Sequence, residues 1–328
     1  MMKYDELKDD VVGESMMNMQ EFYGVQVKII LGLRAYLPDE WKHTAVTVKV
    51  KIDPMDGTMS SRIVFMDKNI DIEAGVTMES LYDDYLETKD LDLTLRRAAE
   101  ALAKRLSKMK EDVRQARDFE LVRDKIVFNL VNTDNCSEML MNCPHRNILD
   151  LSVVYRIVFK EESEIHSMNI TNPLTDCWGI TEDQLYELAL DNMKRICPPF
   201  IKTFEELARG ILKETYDIFF SPSDEEYGEG MWCCSTGDEM TESALSVPYA
   251  LVQTEELARL ADLIGSNLYV VASSRYEALA FSGTNVLDAE DLVKIVHGMN
   301  QEAVAPEDRL SDHVYFYDRA SGELSIVA

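Results

Sequence analysis

The chain has 328 residues, 46% of them hydrophobic, with 60 Asp and Glu against 33 Lys and Arg and a formal net charge of -27. That apolar content excludes a disordered acidic tail, and the negative field disfavours direct binding of nucleic acid or of an anionic membrane. No stretch approaches the roughly 20 apolar residues of a membrane helix, and the polar start from Met1 to Glu6 does not read as a signal peptide.

In chain order, residues 3–22 read as an opening helix with Leu7, Val11, Met16 and Met19 on one side, broken at Gly24. Val25 to Ala35 and Thr44 to Ile52 are rich in β-branched residues and are predicted as strands. Asp56-Gly57 marks a turn, and Ser61 to Met66 is the return strand of a hairpin. Thr77 opens a helix carrying Leu81, Tyr82 and Tyr85. The next helix is the clearest: Leu95, Ala98, Ala99, Leu102, Leu106 and Met109 recur at helical spacing. This predicts an N-terminal α-β-β-β-α module over 1–112, followed by a larger α+β domain over 113–328.

In that second region, residues 111–124 are highly charged and read as a helical linker. Lys125 to Val131 is a predicted strand, Ser137 to Met141 a short helix, and Ile148 to Lys160 the strongest strand signal, with Ile165 to Ile170 as its partner. Thr181-Glu182-Asp183-Gln184 is a capping box; its helix buries Leu185, Leu188, Ala189 and Met193, and Pro198-Pro199 ends it. Thr203 to Glu206 repeats the signature. Residues 221–243 form an acidic loop, with Asp224, Glu225, Glu226, Glu229, Asp238, Glu239 and Glu242 unbalanced by Lys or Arg, around a short strand from Met231 to Cys234. Thr254 starts a helix that Gly265 ends. Leu268 to Ala272 and Glu277 to Phe281 make a hairpin. Asp288 caps a helix through Met299, and Val314 to Tyr317 is a last strand. Helices are not interleaved strictly between strands, so the fold class is α+β, with antiparallel or mixed sheets.

Several phrases carry a resemblance. They are Ser80 to Tyr85, Cys143-Pro144-His145-Arg146 running into Leu149 to Arg156, Trp178 to Glu182 with Leu188 to Asn192, Leu268 to Ser274, and Leu310-Ser311-Asp312. Together they resemble uncharacterised bacterial families, the YtpQ-like group and its relatives in gut Firmicutes. The resemblance implies a cytoplasmic bacterial protein and brings no activity with it.

The cysteines, Cys136, Cys143, Cys177, Cys197, Cys233 and Cys234, follow no disulfide-scaffold spacing, which fits reduced thiols and a cytoplasmic setting. Cys136, Cys143 and His145 lack the second ligand pair of a zinc site, so no metal and no cofactor are expected. Cys143 and His145 could form a nucleophile pair beside Arg146, the basis of a hydrolase or transferase alternative. His145, Arg146, Asp150 and Arg156 are the candidate ligand or partner residues. In one continuous strand, Arg146, Asp150 and Arg156 share a face, and an arginine-lined pocket suits a carboxylate or phosphate. A solvated face is the ordinary alternative for such charges. Ser273-Ser274-Arg275 lacks a nucleophile elbow and reads as a hairpin turn. Glycine-loop nucleotide motifs are missing. Residues 94–125 hold ten Lys and Arg against six Asp and Glu, charges expected to solvate a helix and pair with acids. The leading expectation is a non-catalytic cytoplasmic interaction or adaptor protein that binds a basic partner. A nucleic-acid-mimicking inhibitor is a further alternative.

Overall fold

The computed structural model describes residues 17–52, 59–67, 72–160, 165–203, 205–206, 230–237, 245–284, 289–302 and 304–327. The acidic residues Asp224, Glu225, Glu226, Glu229, Asp238, Glu239 and Glu242, the Asp56-Gly57 turn and Asp288 lie outside the described residues. The chain divides into two compact units, Met1–Gln115 and Ala116–Ala328.

In the first unit, Asn18 caps α1 (Met19–Gly24) through a capping box with Glu21. The segment expected as a strand from Val25 to Ala35 is instead α2 (Gln26–Tyr36). Its β-branched residues suggested extension, but Ile29, Leu33 and Leu37 are all buried at four-residue spacing, and burying one such stripe outweighs a weak local preference. The three strands of the module are therefore β1 (Ala45–Ile52), β2 (Met59–Asp67) and β3 (Ile72–Thr77), antiparallel in that order. Thr77 caps α3 (Met78–Thr88). The long α4 (Leu91–Gln115) buries Leu95, Ala99, Leu102 and Leu106 against α2 and β3. Five of its cations pair with acids: Arg96 with Asp92, Arg97 with Asp84, Lys108 with Asp112, Lys110 with Glu40 and Arg114 with Glu111.

The second unit contains two antiparallel sheets, so the chain is α+β. After α5 (Phe119–Val122), β4 (Ile126–Asn132) pairs along one edge of β6 (Leu151–Lys160). A short α6 (Ser137–Leu140) precedes β5 (His145–Ile148). Along the opposite edge of β6, β5 takes Leu151 to Val154 and β7 (Ile165–Asn169) takes Arg156 to Lys160. Helix α7 (Asn172–Trp178) ends at Gly179, which turns at φ 69°; α8 (Glu182–Ile196) follows, with the Thr181–Gln184 capping box in place. The second sheet takes the order β13-β12-β10-β11-β9-β8, from β8 (Pro199–Thr203), β9 (Met231–Thr236), β10 (Leu268–Val271), β11 (Ala278–Ser282), β12 (Val314–Asp318) and β13 (Glu323–Ile326). Helices α9 (Glu255–Ile264) and α10 (Ala289–Glu302) also belong to the described part of the unit. One continuous core joins the two sheets, α8 and α9, with Phe128, Tyr155, Leu185, Met193, Leu257, Val270 and Tyr315 all buried within it.

Candidate functional site

The expected common face of Arg146, Asp150 and Arg156 does not form. Ile148 pairs with Leu151, so Leu149 and Asp150 are a two-residue hairpin loop, with Leu149 at φ 56°. Arg146 then stands opposite Val153 on the neighbouring strand. Val153 and Arg156 are three residues apart, and side chains alternate along a strand. Arg146 and Arg156 therefore project from opposite faces of one sheet.

On the first face, Arg146 is fully engaged. Its Nε and Nη2 donate to Glu182 at 3.2 and 2.8 Å, and Nη2 also reaches Asp183. The guanidinium lies over the Tyr186 ring, 3.9 Å from its centroid. The buried Tyr155 hydroxyl donates to the same Glu182 carboxylate, and Gln253 Nε2 donates to the Tyr186 hydroxyl at 3.2 Å. Burial, with Glu182 adding to it, pushes the Tyr155 phenol far above its ordinary range, while the Glu182 carboxylate holds Arg146 more firmly charged. Glu182 and Asp183 stand in the first turn of α8, where carboxylates also complement the positive helix end. Every charge here has an acceptor or donor within reach, as expected of a joint fixing α8 to the sheet.

Asp150 forms a second joint. It accepts from Ser311 Oγ at 2.8 Å, from the Tyr315 hydroxyl at 2.7 Å and from His313 Nδ1 at 3.3 Å. His145 Nδ1 donates to the Cys143 carbonyl at 3.0 Å, and Cys143 is buried. Burial raises the thiols of Cys197 and Cys233 to about 12, which suppresses the thiolate needed for nucleophilic or metal chemistry. Cys177 is exposed. Among the described residues no three His, Cys, Asp or Glu side chains are grouped to hold a metal, and no helix is long and apolar enough to cross a membrane.

The opposite face carries Arg156, and its surroundings are different. With the Asn129 amide oriented to satisfy both its ends, Asn129 Oδ1 accepts from Arg156 Nη1 at 2.7 Å and Nδ2 donates to the Phe128 carbonyl at 3.0 Å. Arg156 Nε is buried without an acceptor. Burial lowers the pKa of this guanidinium, and the nearby charge of Arg275 lowers it further. Arg275 comes from the β10–β11 connection, which is stitched to a later segment: Leu310 N donates to the Ser273 carbonyl at 2.9 Å, Ser311 N to Ala272 at 3.0 Å, and Arg275 N to Asp308 at 2.9 Å. The same strip delivers Ser311 to Asp150. Arg275 Nη2 donates to the Tyr276 hydroxyl at 3.1 Å, and that hydroxyl donates to Asp308 Oδ1 at 2.8 Å. Arg275 Nε stands 3.0 Å from Asp308 Oδ1 as an ion pair, and although burial works against its charge, Tyr276 and Asp308 hold its pKa above the ordinary value. Glu277, two residues on, accepts from Ser274 Oγ at 2.7 Å, and burial raises its carboxyl pKa.

Sequence reasoning selected Arg156 and missed Arg275, which had read as a polar turn. The signal was present only as an arginine in a short hairpin connection, with nothing local to tie it to β6. A cavity of about 660 Å³ opens elsewhere in this unit, lined by Asp262, Asn267, Tyr269, Phe316 and Arg319 among others. It includes none of His145, Arg146, Asp150 or Arg156. Arg319 there already donates from Nε to Asp262 at 2.8 Å and from its backbone N to Asn267 at 2.9 Å.

No curated protein and no solved structure matches the chain. A family model matches residues 28–319, nearly the whole length and both units, and the chain therefore belongs to a family of unknown function, DUF5688.

Proposed function

We propose that this protein is a non-catalytic binding protein whose carboxylate-rich surface engages a basic partner. One observation carries the reading: among the described residues, many exposed cations are paired with neighbouring acids. Lys42 pairs with Asp39, Lys49 with Glu73, Arg123 with Glu120, Arg259 with Glu256, Lys294 with Asp291 and Arg319 with Asp262. Each such pair cancels, so the surplus behind the charge of -27 is carried by acids that these cations do not neutralise. Such a surface steers a cationic partner at long range and repels phosphate backbones. In this reading the protein works in the bacterial cytoplasm, in keeping with its scattered free cysteines and its YtpQ-like phrases.

The test is capture from a bacterial lysate by the folded full chain, in buffers from 0.05 to 0.5 M salt, with the retained proteins identified by mass. The Debye length shrinks from about 10 Å at 0.1 M salt to about 3 Å at 1 M. A stoichiometric partner of basic isoelectric point that elutes as salt rises supports the proposal. A partner held equally at high salt, an acidic partner, or an empty capture overturns it.

A further inference from the structure

We propose that the cavity at the end of the second sheet, where β10 starts and β11 and β12 finish, binds a neutral saccharide. The proposal is independent of the basic-partner reading, because it rests on a cavity whose charges cancel rather than on the acidic surface.

The floor of the cavity follows from strand register. Phe316 of β12 stands opposite Tyr269 of β10, and Tyr269 stands opposite Phe281 of β11. Residues directly opposite share a face of the sheet, so the three rings form a row. Two residues further along the strands, on that same face, Val314, Val271 and Leu279 form the next row. Leu292 and Val296 of α10 pack with Val271 and Val314. The aromatic row lies at the margin of that cover. Its three rings are half-buried, and Tyr269 and Phe316 line the cavity.

The rim is built from the ends of the same strands. Asn267 precedes β10, Gly283 follows β11 and Arg319 follows β12. Asn267 ties the three together: its carbonyl accepts from Gly283 N at 2.7 Å and its Oδ1 from Arg319 N at 2.9 Å. Gly283 permits that approach, since a Cβ there would stand 3.0 Å from the Asn267 carbonyl oxygen. Arg319 Nε in turn donates to Asp262 Oδ1 at 2.8 Å. The rim is thus set before any ligand arrives, which lowers the ordering cost of binding.

Three features select the ligand. The volume of about 660 Å³ falls among small-ligand sites of about 300–1,000 Å³. The two charges of the rim, Asp262 and Arg319, neutralise each other, so an ionic ligand finds no counter-charge, while unused hydrogen-bonding groups remain. The second Asp262 oxygen accepts; the Arg319 Nη groups and Asn267 Nδ2 donate; the Tyr269 hydroxyl does both. Vicinal hydroxyls, which also donate and accept, satisfy such a mixed set. Finally, the Tyr269 and Phe316 rings have centroids 5.3 Å apart and planes inclined by 57°. A flat base stacks on one of two such rings, whereas a puckered sugar ring directs C–H bonds toward both negative ring faces.

The test uses the full chain and a panel of uncharged sugars: glucose, galactose, mannose, N-acetylglucosamine, maltotriose and cellotriose. They are screened by saturation-transfer NMR and titrated by calorimetry, with adenine as a planar and glucuronate as an anionic comparison. At least one uncharged sugar should bind at a single saturable site, more tightly than either comparison compound. Asp262→Asn and Arg319→Gln alter side chains 72% and 44% exposed, and each should weaken that binding about 10-fold through lost charge-assisted hydrogen bonds. Phe316→Leu should weaken it about 3- to 10-fold through loss of a ring face; if that variant does not fold, the two rim variants decide. Arg259→Gln, elsewhere on α9 where Arg259 pairs with Glu256, should leave it unchanged. An absence of sugar binding overturns the proposal. So does tighter binding of adenine or glucuronate, or sugar binding that survives both Asp262→Asn and Arg319→Gln.

Discussion

Arg146 and Arg156 lie on adjacent strands of one sheet, and they differ in everything that surrounds them. Arg146 meets Glu182, Asp183 and the Tyr186 ring. Arg156 meets one amide and the charge of another arginine. Half-buried charge is tolerated where it is paired and hydrogen-bonded, and becomes a liability where it is not. The first face is built to hold α8 in place. The second is left with unmet donors, which stabilise nothing by themselves. The lesson is that residue type and exposure alone do not separate a well-compensated arginine from an under-compensated one; the inventory of acceptors does.

The sharpest way to break this contrast is Arg146→Met. It strands Glu182 beside Tyr155 without its cation, and we expect a loss of about 2–3 kcal/mol in urea unfolding, below the full cost of opening a sealed pair because both partners are roughly 30% exposed. If the loss is instead negligible, the Arg146 face is no more structural than its counterpart. Tyr155→Phe removes a single buried hydroxyl from the same carboxylate and should cost about 1–2 kcal/mol. Thr181→Ala takes away the cap that sets the first turn of α8, where Glu182 and Asp183 stand, with an expected loss of about 1 kcal/mol. The paired variant, Arg146→Met with Thr181→Ala, should fall short of additivity if the cap and the arginine act on the same turn.

The smallest effect belongs to the other face. Burial raises the pKa of Glu277, so the folded protein holds its proton more tightly than the unfolded chain. Glu277 therefore favours folding below the ordinary carboxylate range and loses that contribution as pH climbs through the raised value. Glu277→Gln should gain under about 1 kcal/mol at pH 7 and flatten the stability profile on the acid side of neutrality. A loss at pH 7 would show that the ionised carboxylate is needed there, for instance as a partner of Arg275.

What could be read from the sequence followed how local each signal was. Thr181 and Gln184 sit three residues apart and cap each other, so the start of α8 was legible to the residue. The stripe of Leu95, Ala99, Leu102 and Leu106 was equally plain in α4. Val25 to Ala35 misled because β-branched composition spoke for a strand while the spacing of Ile29, Leu33 and Leu37 spoke for a helix. The candidate site was legible as a set of residues and not as an arrangement. The hairpin at Leu149-Asp150 lacks the Gly or Asn that usually announces a two-residue turn, and without that turn Arg146 and Arg156 fall on one face. Asp150 joins Ser311, and Arg156 senses Arg275; neither partner has a local mark that could have linked it to β6.

The Asp150 joint also bears on the order in which the protein can be assembled during synthesis. Its acceptor oxygens are filled by Ser311 and Tyr315, 161 and 165 residues later. At about 5–20 residues per second of translation, the β5–β6 hairpin waits on the order of ten seconds or more before its carboxylate finds those hydroxyls. Until then the hairpin loop lacks the strip that holds its carboxylate. A nascent chain arrested between Asp150 and Ser311 would therefore carry the β5–β6 hairpin with its loop carboxylate still waiting for the two hydroxyls that hold it in the finished fold.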